Sequence, residues 1–410
     1  MTATLPVSAT NTTPATGSAS ARRATSRPSR RRPYRVLVTG VEHAGGLAVL
    51  RALAAAGYEP WAATEDAASY GARSRAARGV VTVADARLEP ERFAHDLALA
   101  AARIDAAAVL PGTEAALIAL GTHRAMFGPE VAVGAPDVAD TVAALDKDGL
   151  AALAAKAGFE TPRTTRLHVS QVAATDVTFP AVVKPVRSEL VSDGKLERFE
   201  VVRVADAAEL ADTLAALPGG EGLVQPYVTG RLRTVNGVAW QGRVVTTVHK
   251  AAERTWPADC GVVTWAETVE RDRALDDAAY ALIRELGWSG LFNLQLIESD
   301  GHFYLIDVNP RAYHSLGLAV HAGANLPAIW TALLLGEAPQ VDEYERGVRF
   351  RSEEDVRALL AAFRSGERAA AVRGLLPRAR TAHAVFSASD PAPIAGVVGK
   401  AVRLVTRRNR

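Results

Sequence analysis

A chain of 410 residues with an apolar share of 49% has the material for two or three folded domains. No apolar run approaches the ~18–20 residues that span a bilayer, and a single cysteine, Cys260, excludes an internal disulfide and any cysteine-based zinc cluster. The formal charge of +2 is local in origin: Arg22, Arg23, Arg27, Arg30, Arg31 and Arg32 sit in an acid-free segment, and without them the remainder is net −4, which argues against a basic nucleic-acid-binding face.

Residues 1–33 are rich in Ser, Thr, Ala and Pro and read as a disordered extension. They lack the apolar core of a secretory signal, although an Arg-rich, acid-poor composition also resembles a transit peptide. After Pro33, RVLVTG is a short apolar strand. VEHAGGLAVLRALAAAGYEPWAAT then reads as loop, helix, a stop at Gly57 and a second strand. Gly40, Gly45 and Gly46 occupy the strand-to-helix turn, where a pyrophosphate can meet a helix N-terminus. The spacing is not G-x-G-x-x-G, and Glu65 and Asp66 are the nearest acids to the end of the second strand, so bound NAD is not expected. DAAAVLPGTEAALIALG repeats the strand–loop–helix pattern; Glu114 opens its helix, where an acid is favoured by the dipole.

GAPDVADTVAALDKDGLAALAAKAGFETPRT gives two Ala/Leu helices broken around residues 146–149, with Asp148 placed to cap the second and Gly158 to end it. TFPAVVKPV is a strong strand with Lys184 at its end. A lysine in an apolar strand is costly to bury alone, so an anionic partner such as a phosphate is expected there. RFEVVRV and GLVQPYV are further strands around the helix ADAAELADTLAAL, forming a small α+β unit. LRTVNGVAWQGRVVTTVHKAAERTWPADCGVV is antiparallel in character with a Gln241-Gly242 turn, and RALDDAAYALIRELG is helical.

LFNLQLI and FYLIDVN follow as two strands joined through Asp300-Gly301. Strand alternation sends Asp307, Asn309 and Arg311 to one face. Gln295 joins them if the loop has an odd number of residues, as in a type I turn closed by a glycine bulge. One carboxylate, two amide oxygens and a guanidinium then share a face; hard oxygen donors without thiols suit Mg²⁺ held through phosphates better than zinc. On the residues alone, the solvated face of an ordinary hairpin is an equal reading.

DVNPR preceded by a strand carrying Gln resembles the metal-binding end of the ATP-grasp ligases, and Gln at that place is similar to the carbamoyl-phosphate-synthetase-like branch. The resemblance extends from about residue 34 to about residue 339. It implies an α/β and α+β multidomain fold: a Rossmann-like domain over 34–140, then an ATP-grasp domain over 141–340 with a lid at about 176–228. A helical extension covers 341–410, with helices near 353–364 and 394–407; the second is basic and amphipathic.

The resemblance also implies roles. Lys147 and Lys184 match the family's phosphate-binding lysines, and GLVQPYVTG resembles the strand whose backbone meets adenine, placing Gln225, Tyr227 and Val228 at the nucleotide. Gln295, Asp307 and Asn309 are the expected metal ligands, for Mg²⁺ or Mn²⁺. Arg311 is expected to stabilise the transferring phosphoryl group, and His314, in the run Ala312–Ser315, to face the acceptor. The PGTE loop borders the substrate side in the family, which makes Glu114 a candidate contact. VHK…ERTWP looks like a subgroup of carboxylate–amine ligases, so His249, Lys250 and Arg254 are candidates to line the phosphate or acceptor side.

Two departures stand out. The loop KPVRSELVSDGKLERF has only Gly194 where the family is glycine-rich, leaving Ser188, Ser192 and Lys195 as substitutes. No acid matches the family's ribose contact; Pro226 and Arg233 occupy that neighbourhood, with Gln225 as a neutral alternative. The expectation is a cytoplasmic ATP- and Mg²⁺-dependent ligase joining a carboxylate to an amine, an amino acid or peptide among the substrates, without nucleic-acid partners. Alternatives are a degenerate nucleotide-binding protein, a bicarbonate-dependent carboxylase-type ligase without its own biotin carrier, or, through the Gly40–Gly46 turn, a dinucleotide oxidoreductase.

Overall fold

Five short, nearly all-apolar strands open the fold as a parallel sheet, in the order Val80–Thr82, Glu59–Thr64, Arg35–Val38, Ala106–Leu110, Ala132–Val133. The computed structural model describes residues 33–145, 147–186, 189–192 and 195–397; the side chains at 147–148, 189–192 and 195–198 also lie outside the description. The expected disordered extension and most of the helix expected near 394–407 therefore fall outside the described residues. The central strand is buried on both faces, as parallel strands covered by helices are. Order reverses on either side of it, and the loops after Val38 and Leu110 open at that switch point.

A second, antiparallel sheet runs Val202–Val204, Ala181–Lys184, Glu221–Pro226, Thr165–His168. Helix Ala207–Ala215 covers it, capped by the Asp206 carboxylate on the Ala208 and Glu209 amides. Val183, Val204, Leu210, Leu214 and Val224 make a small separate core. The lid expected at about 176–228 falls on this sheet, whose edge strand Thr165–His168 lies upstream of that boundary. A two-stranded hairpin, Glu189–Ser192 with Lys195–Arg198, follows the Lys184 strand.

The third sheet has seven strands: His302–Asn309, Gly290–Ser299, Arg231–Trp240, Arg243–Trp256, Val262–Thr268, Arg349–Arg351 and Thr381–His383. All neighbours are antiparallel except the last pair. Helix Arg273–Glu285 packs on one face through Leu275, Ala278, Ala279, Leu282 and Ile283, the i, i+3, i+4 spacing of an apolar stripe. Those residues join Leu37 and Val109 of the parallel sheet, Leu117 of helix Glu114–Thr122 and Phe292 and Leu294 of the large sheet in one continuous core. The region after 341 departs from a purely helical extension. It adds two strands to the large sheet beside helices Asp355–Arg364 and Arg368–Leu375, because Arg349–Arg351 completes the open edge of Val262–Thr268.

Candidate functional site

The hairpin Gly290–Ser299/His302–Asn309 turns through two residues, Asp300 and Gly301, both at positive φ. That is a type I′ turn, not the odd-numbered, glycine-bulged loop anticipated from sequence. A two-residue turn alone places Gln295 opposite Ile306. A bulge within the strand supplies the missing residue: Leu296 pairs with Leu305, but Gln295 pairs with Asp307 and Asn293 with Asn309. Gln295, Asp307 and Asn309 thus share one face, by a different device from the one expected.

The polar face continues across the sheet. Asn309 donates from Nδ2 to Asp307 Oδ2 at 3.1 Å and to Asn293 Oδ1 at 3.3 Å, and Asn293 Nδ2 donates to Asn236 Oδ1 at 2.6 Å. Gln295 Nε2 donates to Asn293 Oδ1 at 3.4 Å, which leaves its amide oxygen beside Asp307. Asn309 turns its own oxygen to Arg311 Nη2 at 3.1 Å. One carboxylate with a neighbouring amide oxygen fits a hard cation that takes its remaining ligands from water and phosphate. Among the described residues no cluster of three His, Cys, Asp or Glu exists to make an all-protein cage. The donor set at Asp307, Gln295 and Asn309 therefore fits a hard cation such as Mg²⁺ better than a metal that needs an all-protein cage.

Lys184 reaches this place from the lid. Its Nζ donates to the carbonyl of Ile306, the bulged residue, at 2.7 Å. Lys184, Gln225 and Asp307 line one cleft with Leu150, Ala151, Thr161, Thr164, Leu223, Leu305 and Ile306. The free space between these side chains is small, about 30 Å³. Lys147 opens the helix Lys147–Lys156, whose Leu150 and Ala151 line the cleft one turn on; the Lys147 side chain lies outside the described residues. Gln225 donates to Thr164 Oγ1 at 2.6 Å. The Tyr227 amide donates to the Pro180 carbonyl at 2.8 Å and its ring lies under Arg203, while Val228 follows in the half-buried link to the large sheet. Arg233, near the expected ribose position, pairs with Glu298 at 3.3 Å. Ser188 and Gly194 and the side chains of Ser192 and Lys195 fall outside the described residues.

Of the three VHK…ERTWP candidates, register admits one. Lys250, Thr234, Gln295 and Asp307 form a single cross-strand row and so share a face. His249 points to the opposite, core side, held by Asp276 Oδ1 at 2.8 Å and by the Asp272 amide on Nδ1. Arg254 is also removed from the site: it clamps the fully buried Asp355 with two bonds of 2.9 and 3.0 Å. Lys250 is 3% exposed, donates to Ser315 Oγ, and lies 4.9 Å from the centre of the Tyr313 ring. Burial lowers its pKa to about 7. Sequence alone ranked it level with its two neighbours, since consecutive His and Lys in a strand buried on both faces carry no sign of which side each takes.

Ala312–Ser315 is wedged between the large sheet and the glycine turn. A Cβ at Gly45 would lie 2.9 Å from the Tyr313 carbonyl oxygen and 3.1 Å from the Ala312 carbonyl carbon. At Gly40 it would lie 2.9 Å from the Gly112 backbone. Close backbone approach therefore accounts for glycine at both positions. His314 retains some exposure, but its Nε2 is buried without a hydrogen-bond partner among the described residues, as is the Tyr313 hydroxyl. Burial, then the nearby Lys250 and His43 charges, lowers the His314 pKa to about 4, while the ring meets Phe350 edge-on at 5.8 Å. Arg311 binds across to the parallel sheet: Nε and Nη2 lie 3.2 and 3.1 Å from Glu114 Oε1.

The family model described as "ATP-grasp in the biosynthetic pathway with Ter operon" matches residues 220–356, which hold the hairpin and Lys250. The arginine-specific large chain of carbamoyl phosphate synthase from Geobacillus stearothermophilus is 31% identical over 108 residues, covering 26% of this chain and 10% of the relative. The chain thus spans about a tenth of the length of that curated relative. Two solved structures share the fold. L-amino acid ligase from Bacillus licheniformis has a TM-score of 0.57 at 15% identity, with 76% of each chain covered. The biotin carboxylase domain of Hydrogenobacter thermophilus 2-oxoglutarate carboxylase, in complex with MgADP, ADP and bicarbonate, has a TM-score of 0.57 at 14% identity over 78% of this chain and 74% of that one. The stretch 220–356, which carries the Gln295–Asp307 pair, thus matches an ATP-grasp family model and is set in a fold shared with these ligase and carboxylase structures.

Proposed function

We propose that the protein is an ATP-dependent ligase that joins a carboxylate to an amine through an acyl phosphate. The observation that carries this reading is the meeting of Lys184 and Gln225 from the lid with Asp307 from the hairpin in one cleft, beside Gln295 and Arg311. In this reading residues 34–140 form a Rossmann-like domain, 141–340 the ATP-grasp domain and 341–410 an extension.

In this reading ATP enters between Lys184 and the hairpin. Lys184 exchanges the Ile306 carbonyl for a phosphate oxygen, and Lys147 adds a second positive charge at the α/β-phosphates. Gln225, Tyr227 and Val228 border the adenine end. Mg²⁺, or Mn²⁺ in its place, would be held by Asp307, Gln295 and Asn309 and would neutralise charge on the β- and γ-phosphates. A substrate carboxylate oxygen attacks the γ-phosphorus, the bond to the β-phosphate oxygen breaks, and ADP leaves. Arg311 stabilises the oxygens of the transferring group and then the acyl phosphate. The amine nitrogen attacks the activated carbonyl, the carbon–oxygen bond to phosphate breaks, and the nitrogen loses a proton. In this reading Lys250, with a pKa of about 7, takes that proton, and His314, three residues after Arg311, orients the amine.

Bicarbonate can replace the carboxylate in the same first step, and the bicarbonate bound by the biotin carboxylase neighbour supports including it. The test is ADP release from ATP with pooled amino acids, short peptides and bicarbonate, with mass spectrometry on the active pool. A new amide in an amino-acid or peptide pool supports the proposal. ATP binding without ADP release in any pool would leave a nucleotide-binding protein that does not turn over.

A further inference from the structure

An arginine grips a carboxylate or phosphate through two parallel N–H groups, and its Nε–Nη2 edge is one such fork. In Arg311 that edge is engaged by a single atom: Nε and Nη2 converge on Glu114 Oε1 at 3.2 and 3.1 Å. The rest of the guanidinium is held from its own strand end. Nη1 donates to the Ala312 carbonyl at 3.0 Å, and Nη2 also donates to Asn309 Oδ1 at 3.1 Å. Glu114 is 197 positions away in sequence, the first residue of helix Glu114–Thr122, which follows the loop after Leu110 at the switch point of the parallel sheet. The Glu114 contact is thus separable from what fixes Arg311 in place.

The pair is also accessible. The side chains are 27% and 41% exposed, so a solute reaches them without opening the core. A one-oxygen ion pair at such exposure is weak, whereas an oxyanion presenting two oxygens to the fork makes two charge-assisted bonds. Exchange of the first for the second is downhill.

We propose that Glu114 is an internal stand-in for the anionic substrate, occupying the Nε–Nη2 edge of Arg311 until a carboxylate or phosphoryl oxyanion displaces it. The inference rests on the proposed function in placing a substrate anion at Arg311, and adds that this anion binds against a built-in competitor. Apparent affinity is then reduced by the fraction of molecules in which Arg311 is held. Weakly binding anions are rejected, and Glu114 sets the threshold.

The experiment is calorimetric titration of inorganic phosphate into the full chain, wild type and Glu114→Gln, with sodium acetate in parallel to separate phosphoryl from carboxylate preference. Removing the competing charge is expected to tighten binding of at least one of the two anions by about tenfold or more, and Glu114→Gln combined with Arg311→Met abolishes the gain. Equal or weaker binding of both anions by Glu114→Gln, at unchanged melting temperature, overturns the proposal and leaves Glu114 as a plain tie between sheets. If the variant does not fold, the wild type decides: the Arg311 Nε–H cross-peak in a nitrogen-labelled spectrum has to move at saturating anion, and a fixed peak overturns the proposal. These titrations need no turnover, so a failed ligase screen sinks the functional reading without touching this result.

Discussion

Lys250 is the residue whose position is hardest to explain by stability. It sits in the row that includes Gln295 and Asp307, inside the protein, with a hydroxyl and an aromatic face for company. Its folded pKa of about 7 lies below the unfolded value near 10.5. Between those values the unfolded chain binds a proton that the folded chain lacks, so this group makes stability rise with pH across the window. Below pH 7 both states are protonated and the full cost of burying the ammonium applies, roughly 5 kcal/mol at most. Lys250→Met is therefore expected to raise the melting temperature, strongly at pH 6 and much less at pH 9.5, while ATP turnover falls. An equal gain at both pH values would remove the buried ammonium from the account. Asp307→Asn is the complementary case: it changes one charge on a strand already paired on its neighbour. Circular dichroism should be unchanged, and ATP turnover should fall by ~10²-fold or more, the scale of losing one strong electrostatic contact at a transition state. Turnover within a few-fold of wild type would take Asp307 out of the mechanism.

The hairpin shows what a sequence discloses about an element and what it withholds. Asp300-Gly301 announced the turn, and alternation announced that Asp307 and Asn309 share a face. The bulge that aligns them with Gln295 left no trace, because Leu305 and Ile306 are both apolar and an extra residue between them disturbs no pattern. His249 and Lys250 were undecidable for a related reason: hydrophobic strands buried on both faces lose the period-two signal that assigns sides. Arg254 stayed a mere candidate because its partner, Asp355, belongs to the stretch beyond about residue 339, outside the motif resemblance. The glycine turn was legible as a turn, but not its purpose. That purpose gives an element-scale prediction. Gly45→Ala drives a methyl against the Ala312–Tyr313 backbone, which cannot yield without moving the segment that carries Arg311. Overpacking of this kind costs about 1–3 kcal/mol. Gly317→Ala, whose new methyl would meet Ala48 at an ordinary 3.9 Å within a helix, should be neutral or stabilising by about 0.5–1 kcal/mol. Urea denaturation of the two variants checks the pair; equal stabilities would mean the turn is not held by that contact.

At the scale of the molecule, the parallel and large sheets share a continuous core while the lid keeps its own. The piece free to move over the cleft is accordingly the lid, and the rest has reason to be stiff. The C-terminal stretch reinforces that division. After the strand Thr381–His383 completes the large sheet, the chain reaches back to the parallel-sheet side and is fastened at Asp390. This carboxylate, 4% exposed, accepts from Arg51 Nε at 2.9 Å, Ser74 Oγ at 2.6 Å and the Arg75 amide at 3.0 Å. Burial alone pushes its pKa up, but those donors outweigh it and hold the carboxylate below its usual range. A depressed folded pKa contributes stability that is complete above the unfolded value near 3.8 and is lost as pH falls through the folded one. Asp390→Ala is expected to cost about 2–3 kcal/mol at pH 7, because it strands buried donors as well as removing a charge. The gap from wild type should narrow on acidification below pH 4, where the wild-type carboxylate itself is protonated. Hydrogen exchange should rise at Ser69–Arg75 and in strand Thr381–His383, and stay unchanged in the lid strands Ala181–Lys184 and Glu221–Pro226. Faster exchange in those lid strands instead would mean that the C-terminal fastening restrains the whole molecule rather than the rigid base alone.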